Sequence, residues 1–258
     1  MSAVVPKVIP DTRRGWLMLA CAVAAEVTFL VVSVLVLLPF VLAVRHGGAG
    51  PVAPRLSGGA LVIVLVVPTV VAAVVAVTGA GLLVRGQGNL AHRLRAQLSV
   101  QWRPRDVGVG LALGIGGMVI TLPAGALWAR WVGSGQANST VGEVFGGQRL
   151  SLGLGLTLFF VVWLLAPVCE EVIYRGVLWR ALEYWRWNRW VIFGLTTVLF
   201  SFAHLELLRT PLLVVVALPI GLARLFTGNL LASIVAHQAN NFLPAIGLLL
   251  ITQGAVPG

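Results

Sequence analysis

Two adjacent glutamates stand at the end of a long apolar run. Glu170 and Glu171 follow SLGLGLTLFFVVWLL closely, although the chain has only eight acidic residues. On a helix, residues four apart share a face, so Glu171 and Arg175 can form an ion pair. Glu170 points about 100° away and lacks that partner. The spacing predicts an unpaired, desolvated carboxylate that suits general-base catalysis. The alternative, that both glutamates pair with arginines at a lipid interface, stays open.

Two histidines and an asparagine extend this set. His204 lies four residues after Phe200, and Asn241 lies four residues after His237, so the last two share a helical face. A single helical histidine is more often a hydrogen-bonded packing residue, but the chain has only four. Glu170 and His204 each lie 17 residues from Trp187, which puts them level in an antiparallel hairpin. We expect Glu170, His204 and His237 to converge at one depth.

Three further residues inside apolar segments could carry chemistry. Glu26 has no partner that the sequence identifies, and an ionisable residue in a membrane span is by default a functional candidate. Glu206 is predicted to reach the membrane interface at the end of its helix. Cys169, beside Glu170, could be a nucleophile, but cysteine is common in apolar helices and this alternative is disfavoured.

The composition indicates which kind of secondary structure must position these residues. The 258 residues are 59% hydrophobic and 10% charged, with a mean hydropathy of +0.97, whereas soluble domains carry about 25% charged residues. The pattern predicts an all-α, polytopic transmembrane bundle of about seven spans, with six or eight possible. The expected spans are 16–44, 60–84, 107–132, 150–184, 190–208, 211–226 and 230–252.

Two features of these spans concern packing. The third opens with five glycines whose spacing lets helix backbones approach closely in lipid: Gly108, Gly110, Gly114, Gly116 and Gly117. The fourth would be about 52 Å long, which exceeds a hydrocarbon core of about 30 Å. It must therefore protrude or bend, and Pro167 is the expected place for a bend.

The basic residues predict orientation rather than a nucleic-acid partner. The formal net charge is +10, and Lys and Arg lie mainly in the predicted loops, where they set topology and contact anionic lipid. The segments on one side of the membrane, which include the N-terminus, carry thirteen Lys and Arg residues, and the segments on the other side carry five. We expect a multi-pass protein of the cell membrane with a cytoplasmic N-terminus.

Three ordered motifs resemble those of a known family. Glu170-Glu171-x-x-x-Arg175, Phe200-x-x-x-His204 and His237-x-x-x-Asn241 are similar to the motifs of the CAAX prenyl endopeptidase and bacteriocin-processing (CPBP, or ABI) intramembrane proteases. The resemblance covers about 150–250. It divides the chain into N-terminal transmembrane helices with basic loops, 1–149, and a CPBP-like catalytic core, 150–252.

The resemblance implies peptide-bond hydrolysis within the membrane. Glu170 with His204 would activate a water, His237 and Asn241 would stabilise the oxyanion, and Glu171 and Arg175 would support them. No cofactor is favoured. Zinc held by Glu170, His204 and His237 is possible, although neither HExxH nor a pair of histidines on one helix is present. The expected partners are the bilayer and a membrane-associated protein or peptide substrate.

Two other classes of function stay open. A member of the same family could be a non-enzymatic scaffold or immunity protein. A small proton-coupled transporter could use the glutamates and histidines as a relay, although the halves of the chain show no internal repeat.

Overall fold

The computed structural model describes residues 10–46, 57–84, 89–133, 137, 139–146 and 148–256. Within these ranges all nine regular elements are helices. They are α1 Thr12–His46, α2 Gly58–Leu82, α3 Leu90–Leu98, α4 Pro104–Val132, α5 Thr140–Gly146, α6 Leu152–Tyr184, α7 Arg189–Ala203, α8 Thr210–Thr227 and α9 Leu230–Gln253. The predicted helical fold class is confirmed.

Short polar residues begin most of the apolar helices. The side chains of Ser57, Ser151, Asn188 and Asn229 accept hydrogen bonds from backbone N–H groups in the first turns of α2, α6, α7 and α9. These contacts satisfy donors that have no partner inside a helix. Glycines with positive φ, Gly228 and Gly254, end α8 and α9, as the left-handed C-terminal position favours.

Six helices are long and apolar enough to cross a bilayer: α1, α2, α4, α6, α8 and α9. The protein is therefore a multi-pass membrane protein. The predicted fifth span, 190–208, is too long: α7 ends at Ala203 and has 15 residues, about 22 Å at 1.5 Å per residue.

Three of the basic residues on which the predicted orientation rests lie outside the described residues: Lys7, Arg55 and Arg85. The orientation and the cell-membrane location stay predictions.

Helix α6 lies at the centre and packs against α1, α2, α7 and α9. It has 33 residues and does not break at Pro167. Instead, two π-helical segments, Val161–Leu165 and Val172–Leu178, flank the α-helical turn Ala166–Glu171. Both segments change the helical winding locally, and the expected bend at Pro167 stays a prediction. Such segments are frequent at functional sites because each re-aims the side chains that follow it.

Glycines bring α4 directly against α8 and α9. A Cβ atom at Gly110 would lie 2.5 Å from the carbonyl oxygen of Ala232, and one at Gly114 would lie 2.5 Å from that of Ala236. A Cβ at Gly117 would lie 2.6 Å from Pro219 Cγ. The predicted packing role is confirmed for these three glycines, whereas a Cβ atom at Gly108 or Gly116 would have nothing within 4 Å.

A polar network ties the segment before α4 to the later helices. Asn229 donates to the backbone oxygen of Gln101 (2.7 Å) and to the buried Asp106 carboxylate (2.9 Å). Arg180 donates to the Gln97 carbonyl (2.6 Å) and to the Ser99 hydroxyl (2.5 Å). The amphipathic α3 and its following turn are therefore held against α6 and α9.

Candidate active site

The two glutamates sit in the short α-helical turn between the π segments of α6. Glu171 is fully buried, whereas the Glu170 side chain is 28% exposed. The neighbours thus point in different directions, as helical geometry requires. One carboxylate is sealed in the protein interior and the other faces a more open space.

Glu171 belongs to a buried ionic cluster. Its Oε1 atom accepts a hydrogen bond from Arg175 Nη1 at 3.0 Å and lies 3.0 Å from His237 Nδ1. The predicted Glu171–Arg175 pair is present, and both side chains have no exposed surface. A carboxylate bonded to one imidazole nitrogen fixes the ring orientation and stabilises the imidazolium form. Glu171 therefore orients His237 in addition to pairing with Arg175.

Glu170 faces the other nitrogen of the same imidazole. Its Oε2 atom lies 3.8 Å from His237 Nε2. This distance exceeds a direct hydrogen bond. Within the described part of the chain, His237 is its one ion-pair partner, so the alternative in which both glutamates pair with arginines is wrong for Glu170. His237 stands between a buried carboxylate and an accessible one.

Phe200, the first residue of the second motif, packs against both histidines and against Arg175. Its ring centroid lies 4.8 Å from that of His204 and 5.6 Å from that of His237. The Arg175 guanidinium carbon lies 4.4 Å from the centroid of Phe200, a cation–π contact that compensates part of the arginine's lost hydration. One aromatic ring therefore packs against both histidines, which supports the predicted common depth.

His204 is not on a helix, contrary to the expected span 190–208. It follows the last residue of α7, is exposed, and its Nδ1 atom lies 2.9 Å from the Phe200 carbonyl oxygen. The next residue, Leu205, has φ 56°. This left-handed conformation turns the chain away from the helix. The imidazole is held at Nδ1, and Nε2 is left for chemistry.

The loop that carries His204 is anchored by Glu206. Its carboxylate accepts a 2.6 Å hydrogen bond from the Thr140 backbone N–H, and it pairs with Arg209. The Glu206 side chain is only 13% exposed. Glu206 therefore connects the 204–209 loop to α5, and its expected position at the membrane interface stays a prediction.

Asn241 contacts the first π segment. Its amide donates to the Val162 carbonyl oxygen at 3.2 Å, and Gln238 donates to the Leu164 carbonyl oxygen at 3.4 Å. A change of helical winding disturbs the backbone hydrogen-bond ladder, and these amides supply donors to carbonyl groups there. An amide has two N–H donors, so Asn241 keeps one for a further acceptor.

Glu26 has neighbours that the sequence did not reveal. It lies on the part of α1 that packs against the second π segment, where Ala22 and Ala25 belong to the same apolar cluster as Tyr174 and Phe200. Because Tyr174 and Glu26 are 148 positions apart, no local pattern could have shown that their helices meet.

The zinc alternative stays a prediction. Among the residues that the structure describes, no group of three His, Cys, Asp or Glu side chains is placed to hold a metal ion. Zinc needs three or four donors at about 2.0–2.3 Å in a tetrahedral arrangement. We derive no step through a metal.

The structure defines a multi-pass helical membrane protein with a buried carboxylate–histidine cluster. Residues 152–243 match the family model described as type II CAAX prenyl endopeptidase, Rce1-like. This segment carries all three motifs of the sequence resemblance, and the chain thus has an Rce1-like segment of a protease family. The division at 149/150 stays a prediction. No curated protein and no solved structure matches the chain.

Proposed function

We propose that the protein is an intramembrane endopeptidase that hydrolyses a peptide bond of a membrane-associated protein or peptide. The observation that supports it best is the pair of carboxylates on either side of His237. Glu171 holds Nδ1 from the buried side, and Glu170 faces Nε2 from the accessible side. This arrangement lies inside the segment that matches the protease family.

In the proposed reaction Glu170 is the general base. It takes a proton from a water held between it and His204, and the hydroxide oxygen bonds to the scissile carbonyl carbon. The carbonyl oxygen becomes an oxyanion, which accepts hydrogen bonds from His237 Nε2–H and the free amide N–H of Asn241. Glu170 then returns the proton to the amide nitrogen, the carbon–nitrogen bond breaks, and an amine and a carboxylic acid leave.

The supporting residues keep these groups in place. Glu171 fixes His237 through Nδ1, as a buried carboxylate does in hydrolase triads, and Arg175 balances the charge of Glu171. Phe200 holds both imidazoles at one depth. We infer no resident cofactor.

The test is cleavage by the purified full-length protein in lipid nanodiscs. The probe is an internally quenched, farnesylated peptide ending in a CAAX sequence, which the family description suggests. We expect Glu170→Gln to lower kcat by about 10³-fold, within the usual range for loss of a general base. The matched control is Glu143→Gln, because Glu143 is an exposed carboxylate of α5.

Two outcomes would contradict the proposal. Equal cleavage by Glu170→Gln and wild-type protein would exclude the assigned base. No cleavage of the farnesylated peptide or of co-expressed membrane proteins, with the bundle still folded, would favour the scaffold or transporter alternatives. Activity that is lost in excess chelator and restored by zinc would contradict the metal-free mechanism.

A further inference from the structure

A proline follows the first π segment of α6, Val161–Leu165, and changes which donors the carbonyl groups of that segment can use. Pro167 has no backbone N–H, and in a regular α-helix its ring would collide with the carbonyl group four residues earlier. The Ala166 N–H donates to the Val161 carbonyl oxygen, five residues back, as in a π-helix. The Val162 carbonyl oxygen has therefore lost both its α-helical donor, Ala166, and its π-helical donor, which would be residue 167.

Two amide side chains of α9 donate to this segment instead. Asn241 Nδ2 donates to the Val162 carbonyl oxygen at 3.2 Å. Gln238 Nε2 donates to the Leu164 carbonyl oxygen at 3.4 Å. The two amides are three residues apart, so they share one face of α9. Gln238 is half-buried and directly follows His237, so the helix that carries the imidazole also carries the donors to the π segment.

The winding of this segment decides where the glutamates after it point. Successive residues of an α-helix are turned by about 100°, so one residue more or less in a turn rotates every later side chain by that angle. Glu170 comes five residues after the segment ends at Leu165. In the present winding its Oε2 atom lies 3.8 Å from His237 Nε2. With a regular α-helical turn before it, the carboxylate would point away from that nitrogen.

We propose that Gln238 and Pro167 are positioning residues, which maintain the π winding that aims the Glu170 carboxylate at the imidazole. Pro167 withholds the N–H that a regular helix would use, and Gln238 and Asn241 supply donors to the carbonyl groups of the widened turn. The effect of this arrangement on the rate rests on the proposed function, whereas the positioning itself does not. One helix, α9, then sets the direction of both the imidazole and the carboxylate.

A coupling experiment tests the positioning without substrate, on the full-length protein in lipid nanodiscs with ¹⁵N-labelled histidine rings. The His237 ring signals are assigned by NMR through their loss in His237→Gln. In otherwise wild-type protein Glu170→Gln should shift these signals, because Glu170 faces Nε2. In the Gln238→Met and Pro167→Ala backgrounds the same change should shift them at most about half as far, since the carboxylate is no longer held against the ring. Methionine keeps the length of the glutamine side chain and removes its donors.

Gln253→Met is the matched control. Gln253 lies on the same helix and donates to the Leu150 carbonyl oxygen at 3.4 Å, before α6 begins and outside the π segment. This variant should keep the full response of the His237 signals to Glu170→Gln. With the farnesylated peptide, Gln238→Met should lower kcat about 10-fold with little change in KM, because a displacement of about 1 Å in a catalytic group can lower the rate by 10²-fold. Gln253→Met should retain the wild-type kcat.

The outcomes separate this proposal from the proposed function. If wild-type protein cleaves nothing, the proposed function fails, and the NMR coupling still decides the positioning. A full His237 response in folded Gln238→Met and Pro167→Ala would overturn the positioning role. An equal reduction in Gln253→Met would overturn it as well, since the loss of any amide donor on α9 would then act alike. Should Pro167→Ala fail to fold, Gln238→Met, which preserves side-chain length, decides the outcome by itself.

Discussion

The Rce1-like segment and the helices before it handle polarity differently. Within 152–243, Glu171, Arg175 and Arg224 are fully buried, and each has a hydrogen-bonding partner in the same segment. The buried residues of α2 are Ala, Leu, Val and Pro, and α4 contributes glycines to its interfaces. One region buries charged side chains, while the other supplies surfaces that permit close packing and a few polar tethers.

Because of this difference, we expect substitutions in the two regions to destabilise the protein for different physical reasons. In the segment, loss of one charge leaves another buried without compensation. In the preceding helices, the damage comes from added volume or from a broken tether. The following variants test this contrast from the largest expected effect to the smallest.

Arg175→Met should be the most destabilising change. It leaves the Glu171 carboxylate buried without its cation, which typically costs about 3–5 kcal/mol. Thermal or denaturant unfolding in detergent measures the loss. The double variant Glu171→Gln/Arg175→Met should recover most of it, because it removes both charges. Arg130→Met, at an exposed arginine of α4, is the control, and an equal loss there would contradict the expectation.

Gly114→Ala should lower the free energy of unfolding by about 1–3 kcal/mol, as overpacking does. The new Cβ would collide with the Ala236 carbonyl oxygen, one residue before His237. Activity should fall with stability for that reason. Gly116→Ala, on the same helix with open space around it, should be neutral or slightly stabilising. Equal effects at both glycines would refute the packing role of α4.

Asn229→Ala should cost about 2 kcal/mol. The variant loses the N-terminal cap of α9, worth about 1 kcal/mol, and leaves the buried Asp106 carboxylate without its donor. Unfolding measurements should show a larger loss than Asn188→Ala, which removes only an exposed cap of α7. If the two asparagine variants lose the same stability, the tether between the regions contributes nothing.

Glu206→Ala should have the smallest effect on stability, about 1 kcal/mol or less, as for partly exposed ion pairs. Its effect is local: the loop 204–209 loses its bond to α5. Hydrogen exchange followed by mass spectrometry should show faster exchange there, with unchanged exchange in α9. Unaltered exchange in 204–209 would mean that other contacts hold His204.

Much of the architecture could be predicted from hydropathy. The continuous apolar runs located the spanning helices to within a few residues at most ends, because membrane helices need about 20 apolar residues. The C-terminal end of α7 was missed because apolar residues continue through Leu205 and Leu208 after the helix has stopped. Hydropathy does not register the left-handed turn at Leu205.

The candidate site was predictable where the partners are close in sequence. The four-residue spacing gave the Glu171–Arg175 pair directly. The π segments around the glutamates were not predictable from local spacing, and the donors that contact the first of them, Asn241 and Gln238, come from a distant helix. Nor could spacing show that Phe200 packs against both histidines.

The sequence by itself determined that this is a multi-pass helical membrane protein whose unusual residues are Glu170, Glu171, Arg175, His204, His237 and Asn241. Its composition and short spacings suffice for that, because both act locally along the chain. Only the tertiary structure decided that His237 stands between the two glutamates and that α1 packs against Tyr174. Those contacts join helices far apart in sequence, and helix packing alone fixes which faces meet.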